Sequence, residues 1–352
     1  MIDRNDIKAA VASGLLSEKQ AAGLITLADS RRGARENLAA GDEPFELFKG
    51  FNEIFIVVGL IILASGWYGV TGLAVGSRIM NLQQYASTIC LISAGVIWLL
   101  SEYFVRHRRM VAPAIALSIM FAGNAALGFI AYMAEPFMVA QNDLSSIPPA
   151  LLLATIALLG YWWRFRVPFA LAMIAIGLFV TTTMFTASRG GRIEDIGDFF
   201  LLSAGGPFAW ITLGLGVLVF AIAMLFDMSD PHRVTRRSAN GFWLHIVAAP
   251  ALMNTIALTL MARDANLALL GVLAIFAVVA IIIDRRSFLI TAIGYVVALT
   301  NTVWDGQSTA MTVLILGIVL LLLGAFWEKI RAAILRLLGG ALPLDRLPPS
   351  HA

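Results

Sequence analysis

The sequence predicts an all-α membrane protein: about ten transmembrane helices arranged as antiparallel hairpins, with a small N-terminal cytoplasmic helical hairpin. Three observations point there. Hydrophobic residues make up 59% of the 352 residues and charged residues only 13%, about half of the roughly 25% found in a soluble domain. From residue 54 onward the apolar residues come in uncharged runs, and about 18 such residues cross a hydrocarbon core roughly 30 Å thick. The Lys and Arg residues gather in every second connection between those runs, as the positive-inside rule requires of cytoplasmic loops.

Residues 1–53 read as a cytoplasmic helical hairpin with an interfacial lead-in. Ile7, Val11, Leu15 and Leu16 recur at helical spacing, and Gly14 is placed to stop the first helix. Ser17 followed by Gln20 is a capping-box pattern that opens the second, in which Leu24, Ile25 and Ala28 share a face. Pro44 opens a third short helix whose Phe45, Phe48 and Phe51 suit the membrane interface. The polar start, Met1 to Asp6, does not read as a removable signal peptide.

The ten-helix domain spans 54–327, with helices expected at 54–75, 85–105, 110–134, 148–163, 167–187, 199–226, 241–261, 265–283, 287–303 and 308–327. With the N-terminus inside, 21 of the 25 Lys and Arg fall on the cytoplasmic side, and only Arg78, Arg189, Arg192 and Arg263 fall outside. One span more or fewer would scramble that alternation, so the charges place both ends in the cytoplasm of a bacterial inner membrane. Short basic turns, Arg106 to Arg109, Arg164 to Arg166 and Asp284 to Arg286, tie successive spans into hairpins. Residues 328–352 form a basic amphipathic helix, with Ile330, Ile334 and Leu337 set against Lys329, Arg331 and Arg336, and then a Pro-rich tail.

Chemistry-bearing motifs are scarce. There is no phosphate loop, no zinc-binding His pair and no nucleophile elbow. The single cysteine, Cys90, excludes an intrachain disulfide and suggests no Cys-based metal site. No catalytic residue, metal site or cofactor is expected, the protein is not expected to be an enzyme, and nucleic acid is not a partner. Glu102 stands four positions before Arg106 at a cytoplasmic helix end, the spacing of an ordinary surface ion pair. The stretch from Asp227 to Arg233 reads as a flexible, solvated loop. His245, inside the seventh span near the inner interface, is the one candidate functional histidine, and Pro250 beyond it is expected to kink that span. Depth counting at about 1.5 Å per residue puts Asn124, Thr182, Asn254 and Asn301 at one level, roughly 20 Å from the inner face. The helix-breaking Gly205-Gly206-Pro207 falls at a similar height. These residues, Pro207 included, are the expected lining of a polar pocket opening outward.

The run Gly14-Leu15-Leu16-Ser17-Glu18-Lys19-Gln20-Ala21 ahead of many spans resembles a bacterial family of membrane proteins filed as domain of unknown function 2157. Thr235 to Ser238, Phe242 to His245, Ala248 to Pro250, and Leu320 to Trp327 are similar to stretches in its alphaproteobacterial members. The resemblance implies a polytopic membrane protein and supplies no activity or catalytic residue; the family's histidine position corresponds to Asn254. Two functions are therefore expected to compete. One is the handling of a small polar solute or a lipid through a helix-bundle cavity. The alternative is a non-transporting anchor or scaffold. Membrane lipids are the expected partners, with residues 1–40 as the docking segment for a cytoplasmic protein.

Overall fold

The computed structural model describes residues 10–11, 13–17, 20, 51–76, 82–135, 138–141, 143–191, 196–202, 206–231, 233, 235–285, 309–338 and 343–348. These residues are helical or irregular, and none is in a strand. Among the described residues nine long helices follow one another: α1 (Phe51–Gly76), α2 (Leu82–Ser101), α3 (Ala112–Met133), α4 (Ile147–Phe165), α5 (Pro168–Ser188), α6 (Phe208–Ser229), α7 (Arg236–Met261), α8 (Asn266–Ile283) and α9 (Thr309–Leu338). Among the described residues seven helices are long and apolar enough to cross a membrane: α1, α2 with its π-helical extension to His107, α3, and α5 to α8. α4 is diluted by Pro148 and Pro149 at its start and Tyr161, Trp162 and Trp163 at its end. The expected span 287–303 lies outside the described residues, as does most of the N-terminal hairpin.

Local sequence sets the helix ends. Pro113, Pro148 and Pro168 occupy the first positions of α3, α4 and α5, where a missing N–H costs nothing. The Thr235 hydroxyl accepts the Arg237 N–H at 3.1 Å and caps α7. α4 passes into α5 through Arg166 and Val167 alone; Arg166 takes the left-handed conformation (φ 53°) and returns its N–H to the Trp162 carbonyl at 2.7 Å. In the N-terminal segment, Gly14 (φ 74°) ends a helical turn, and Ser17 and Gln20 exchange the two bonds of a capping box at 3.0 and 3.3 Å.

One expected span is corrected. The helix proposed for 199–226 begins at Phe208 and runs to Ser229. Pro207 is its N-cap, so the Gly206-Pro207 break stands at the helix entrance rather than within a span. Ahead of it, Ile196–Phe199 form a 3-10 turn held over the helix ends: the Leu202 N–H donates to Thr259 Oγ1 at 3.0 Å, and the Phe199 ring lies 5.8 Å from that of Phe208. α7 remains helical through Pro250.

The main core joins α1 to α7 around Trp98, Leu117, Phe121, Tyr161, Phe165 and Leu171. Tyr161 is fully buried, stacked on Phe121 at 4.8 Å, and its hydroxyl donates to Ser101 Oγ at 2.8 Å while Ser101 donates to the Ile97 carbonyl. Polar groups on neighbouring helices, buried at Glu53 and half-buried at Glu102 and Arg164, meet at the ends that carry the basic turns. Glu53 Oε2 accepts the N–H groups of Val111 and Ala112 at 3.2 and 3.0 Å, joining the starts of α1 and α3. Glu102 pairs with Arg164 at 2.9 Å, joining the ends of α2 and α4, and more loosely with Arg106 at 3.4 Å. At the opposite ends, Gln83 Nε2 donates to the Ala134 carbonyl.

Candidate functional site

Three places bring chemistry-bearing side chains or space together. The first is a charged cluster where the end of α6, the start of α7 and the turn after α8 converge. Asp227, expected in a solvated loop, is instead a buried residue in the last turn of α6. Arg285 donates to both its carboxylate oxygens, from Nε at 3.0 Å and Nη2 at 2.5 Å. His245 Nε2 meets Asp227 Oδ2 at 3.0 Å, and the imidazole is fully buried with an edge toward Phe220. Gly241 makes this approach possible, since a Cβ there would overlap Asp227 Oδ1. Asp230, also buried, accepts from the Thr235 N–H and hydroxyl at 2.9 and 2.8 Å. A carboxylate taking a two-point guanidinium contact out of water is retained only when its lone pairs are satisfied, as here.

The cluster extends to the C-terminal helix. Arg233 bonds Asp284 Oδ2 and the Asp284 carbonyl, both at 2.8 Å, and burial pushes its guanidinium below the usual arginine range. Trp327 Nε1 donates to Asp284 Oδ1 at 2.8 Å. Arg331, expected on the polar surface of an amphipathic helix, is almost completely buried: its guanidinium caps the Ile281 carbonyl at the end of α8 and bonds the Pro348 carbonyl. α9 is broken at Phe326 (φ −110°, ψ 15°), and in the part beyond the break Arg331 faces inward while Leu337 is 85% exposed.

The second place is a groove of about 180 Å³ between α1, α2 and α3, lined by Leu60, Leu63, Trp67, Val96, Ile97 and Met120 among others. Its few polar groups are engaged with one another and with the backbone: Trp67 Nε1 of α1 donates to Ser93 Oγ of α2 at 2.8 Å, and Ser93 to the Ile89 carbonyl at 2.7 Å. Leu63, Trp67 and Val96 are exposed, so the groove opens to the outside of the bundle. The third is a cleft of about 540 Å³ between the start of α4 and the end of α5.

The expected pocket residues do not come together. Asn124 is buried, and Nδ2 donates to the Tyr68 hydroxyl at 2.6 Å and the Met120 carbonyl at 2.7 Å. Thr182 lines the cleft and returns its hydroxyl to Leu178 at 2.8 Å. Pro207 is exposed at a helix start, Asn254 is half-buried in α7, and Asn301 lies outside the described residues. Of the groove, the cleft and a smaller cavity of about 150 Å³ beside Pro250, none is lined by two of the expected residues. Among the described residues no group of His, Cys, Asp and Glu could hold a metal ion. Sequence reading missed Tyr68, which sits 14 residues after Ile54 as Asn124 sits 14 after Met110, and so shares its depth. It also missed Asp227 and Arg285, whose partnership no spacing announces. No family model, curated protein or solved structure matches this chain.

Proposed function

We propose that the chain is a polytopic bacterial inner-membrane protein of ten transmembrane helices, paired as antiparallel hairpins with both ends in the cytoplasm, which handles a lipid and catalyses no reaction. The bias of 21 among 25 positive charges supports the orientation. So do Glu53 with Val111, Glu102 with Arg164, and Asp227 with Arg285, each joining two segments assigned to the same face. Membership of the family filed as domain of unknown function 2157 belongs to this reading and rests on the residues that carry the resemblance.

One observation carries the choice of lipid over polar solute: the α1–α3 groove is walled by apolar side chains and opens sideways, where a bilayer places hydrocarbon. A polar solute would need donors and acceptors facing a shared path, and Thr182 instead spends its hydroxyl on its own helix. The test is to extract the full chain and its Ala64→Trp variant, which fills the groove, and weigh the lipid each retains by native mass spectrometry. Wild type keeps a bound lipid that the variant loses. Equal retention overturns the lipid reading.

The second reading, an anchor whose residues 1–40 dock a cytoplasmic protein, is favoured by Leu15, which stands 79% exposed beside the Ser17–Gln20 box. Deleting residues 1–40 would then abolish partner recovery while leaving lipid retention unchanged.

A further inference from the structure

The cleft between α4 and α5 differs from the α1–α3 groove in carrying a charge at one end. Pro148, Pro149 and Leu152 of α4 face Thr181, Thr182 and Phe185 of α5 across it, and Arg189 stands at its mouth. Arg189 follows the last residue of α5 and lies exposed, with its guanidinium 4.4 Å from the centre of the Phe185 ring. Among the described residues no carboxylate pairs with it. This distinguishes it from Arg164, Arg233 and Arg285, each of which is taken up by an acidic side chain.

The polar groups deeper in the cleft are spent. Thr181 donates to the Gly177 carbonyl at 2.7 Å, Thr182 to Leu178 at 2.8 Å, and Ser188 to Phe185 at 2.9 Å. Ser145 lines the opposite side; its N–H donates to the Asp143 carboxylate at 2.9 Å, and hydrogen bonds from Ser145 hold that carboxyl below the usual range. What remains, among the described residues, is a largely apolar trough with Arg189 unmatched at its mouth. From Thr182 to Arg189 is seven residues of helix, about 10 Å. A chain lying in the trough would thus bring its head to the guanidinium at the edge of the hydrocarbon layer.

We infer that this cleft binds a phospholipid of the leaflet opposite the basic turns, with its phosphate diester on Arg189 and an acyl chain along Leu152 and Thr182. The guanidinium offers paired N–H donors in the geometry that phosphate oxygens accept. Phe185 holds it in place by stacking, so little side-chain freedom is lost on binding. The volume, about 540 Å³, suits part of a lipid and lies within the range of ligand pockets. The inference rests on the reading that the chain lies in a bilayer, and the two sites are separate, so they fail separately.

The experiment is a titration of the delipidated full chain in detergent, read by native mass spectrometry. The probes are dioleoyl phosphatidylethanolamine, dioleoyl phosphatidylglycerol, dioleoylglycerol and inorganic phosphate. Both phospholipids should bind roughly tenfold more tightly than dioleoylglycerol, which lacks the phosphate, and inorganic phosphate should not compete. Arg189→Gln should remove that preference, a roughly tenfold loss, with an unchanged melting temperature, while Arg189→Lys restores part of it. Ala64→Trp should leave the preference intact even where it empties the α1–α3 groove. Phospholipid binding by Arg189→Gln equal to wild type would overturn the inference. Full competition by inorganic phosphate would overturn it too, since the site would then hold an anion and no lipid.

Discussion

Asp227 and Arg285, 58 positions apart in sequence, meet through two parallel hydrogen bonds in which each carboxylate oxygen takes one guanidinium donor. The contact closes α6 against the turn that follows α8, and both side chains are only 8% exposed. Removing one partner leaves the other charge buried, which typically costs about 3–5 kcal/mol. Arg285→Met should therefore lower the thermal midpoint steeply in detergent. The double change Asp227→Leu with Arg285→Met should recover most of that loss, because neither charge is then stranded. Additive losses in the double variant would refute the pairing.

Gly241 should tolerate no side chain. Its hydrogen faces Asp227 Oδ1, and a Cβ would displace the carboxylate from both Arg285 and His245. Gly241→Ala, ordinarily favourable in a helix, is expected to destabilise by roughly 1–3 kcal/mol, as overpacking does. Gly271→Ala, with open space around its Cβ position, is the control and should be neutral or better.

The orientation has a chemical check. In a Cys90→Ser background, single cysteines at Asp143, Asp195 and Asp305 should react with an impermeant thiol reagent in intact, outer-permeabilised cells. Cysteines at His107, Arg166 and Arg237, all exposed at the basic turns, should react only after lysis. Labelling of the second set in intact cells would reverse the reading of the charges.

Arg331 ties the tail to the bundle through the Pro348 and Ile281 carbonyls. Arg331→Met keeps the bulk and removes the donors. Residues 343–348 should then be cut by protease in the folded protein at a rate well above wild type, with little change in the midpoint. Equal protection would mean that the packing of Leu347, not the guanidinium, holds the tail.

Most of the described helices from α1 to α8 were legible because hydropathy and turn residues act along the chain, within one element at a time. Gly14 and the Ser17–Gln20 box were legible for the same reason: their partners lie three to five residues away. The charged cluster was not. Asp227 sits one residue past the expected end of its span, and what removes it from water comes from α7 and from beyond α8. Arg331 was misplaced because an amphipathic pattern does not say which face is covered: the backbone acceptors that take up its guanidinium, the Ile281 and Pro348 carbonyls, lie 50 residues before it and 17 after it. Depth counting found the level of Asn124 and overlooked Tyr68 at the same level, since a tyrosine in an apolar run reads as bulk. The shared pocket failed for a simpler reason: equal depth says nothing about the direction in which a side chain points.

The Glu53 carboxylate also imposes an order in time. Its acceptors' partners, the N–H groups of Val111 and Ala112, are made 58 and 59 residues later. At about 5–20 residues per second that interval is roughly 3–12 s. Over that interval the Glu53 carboxylate waits for these donors. The first helix is thus synthesised first, and α2 can already pair with it through Trp67 and Ser93, but its entrance carboxylate meets this pair of N–H groups only once the third helix has begun.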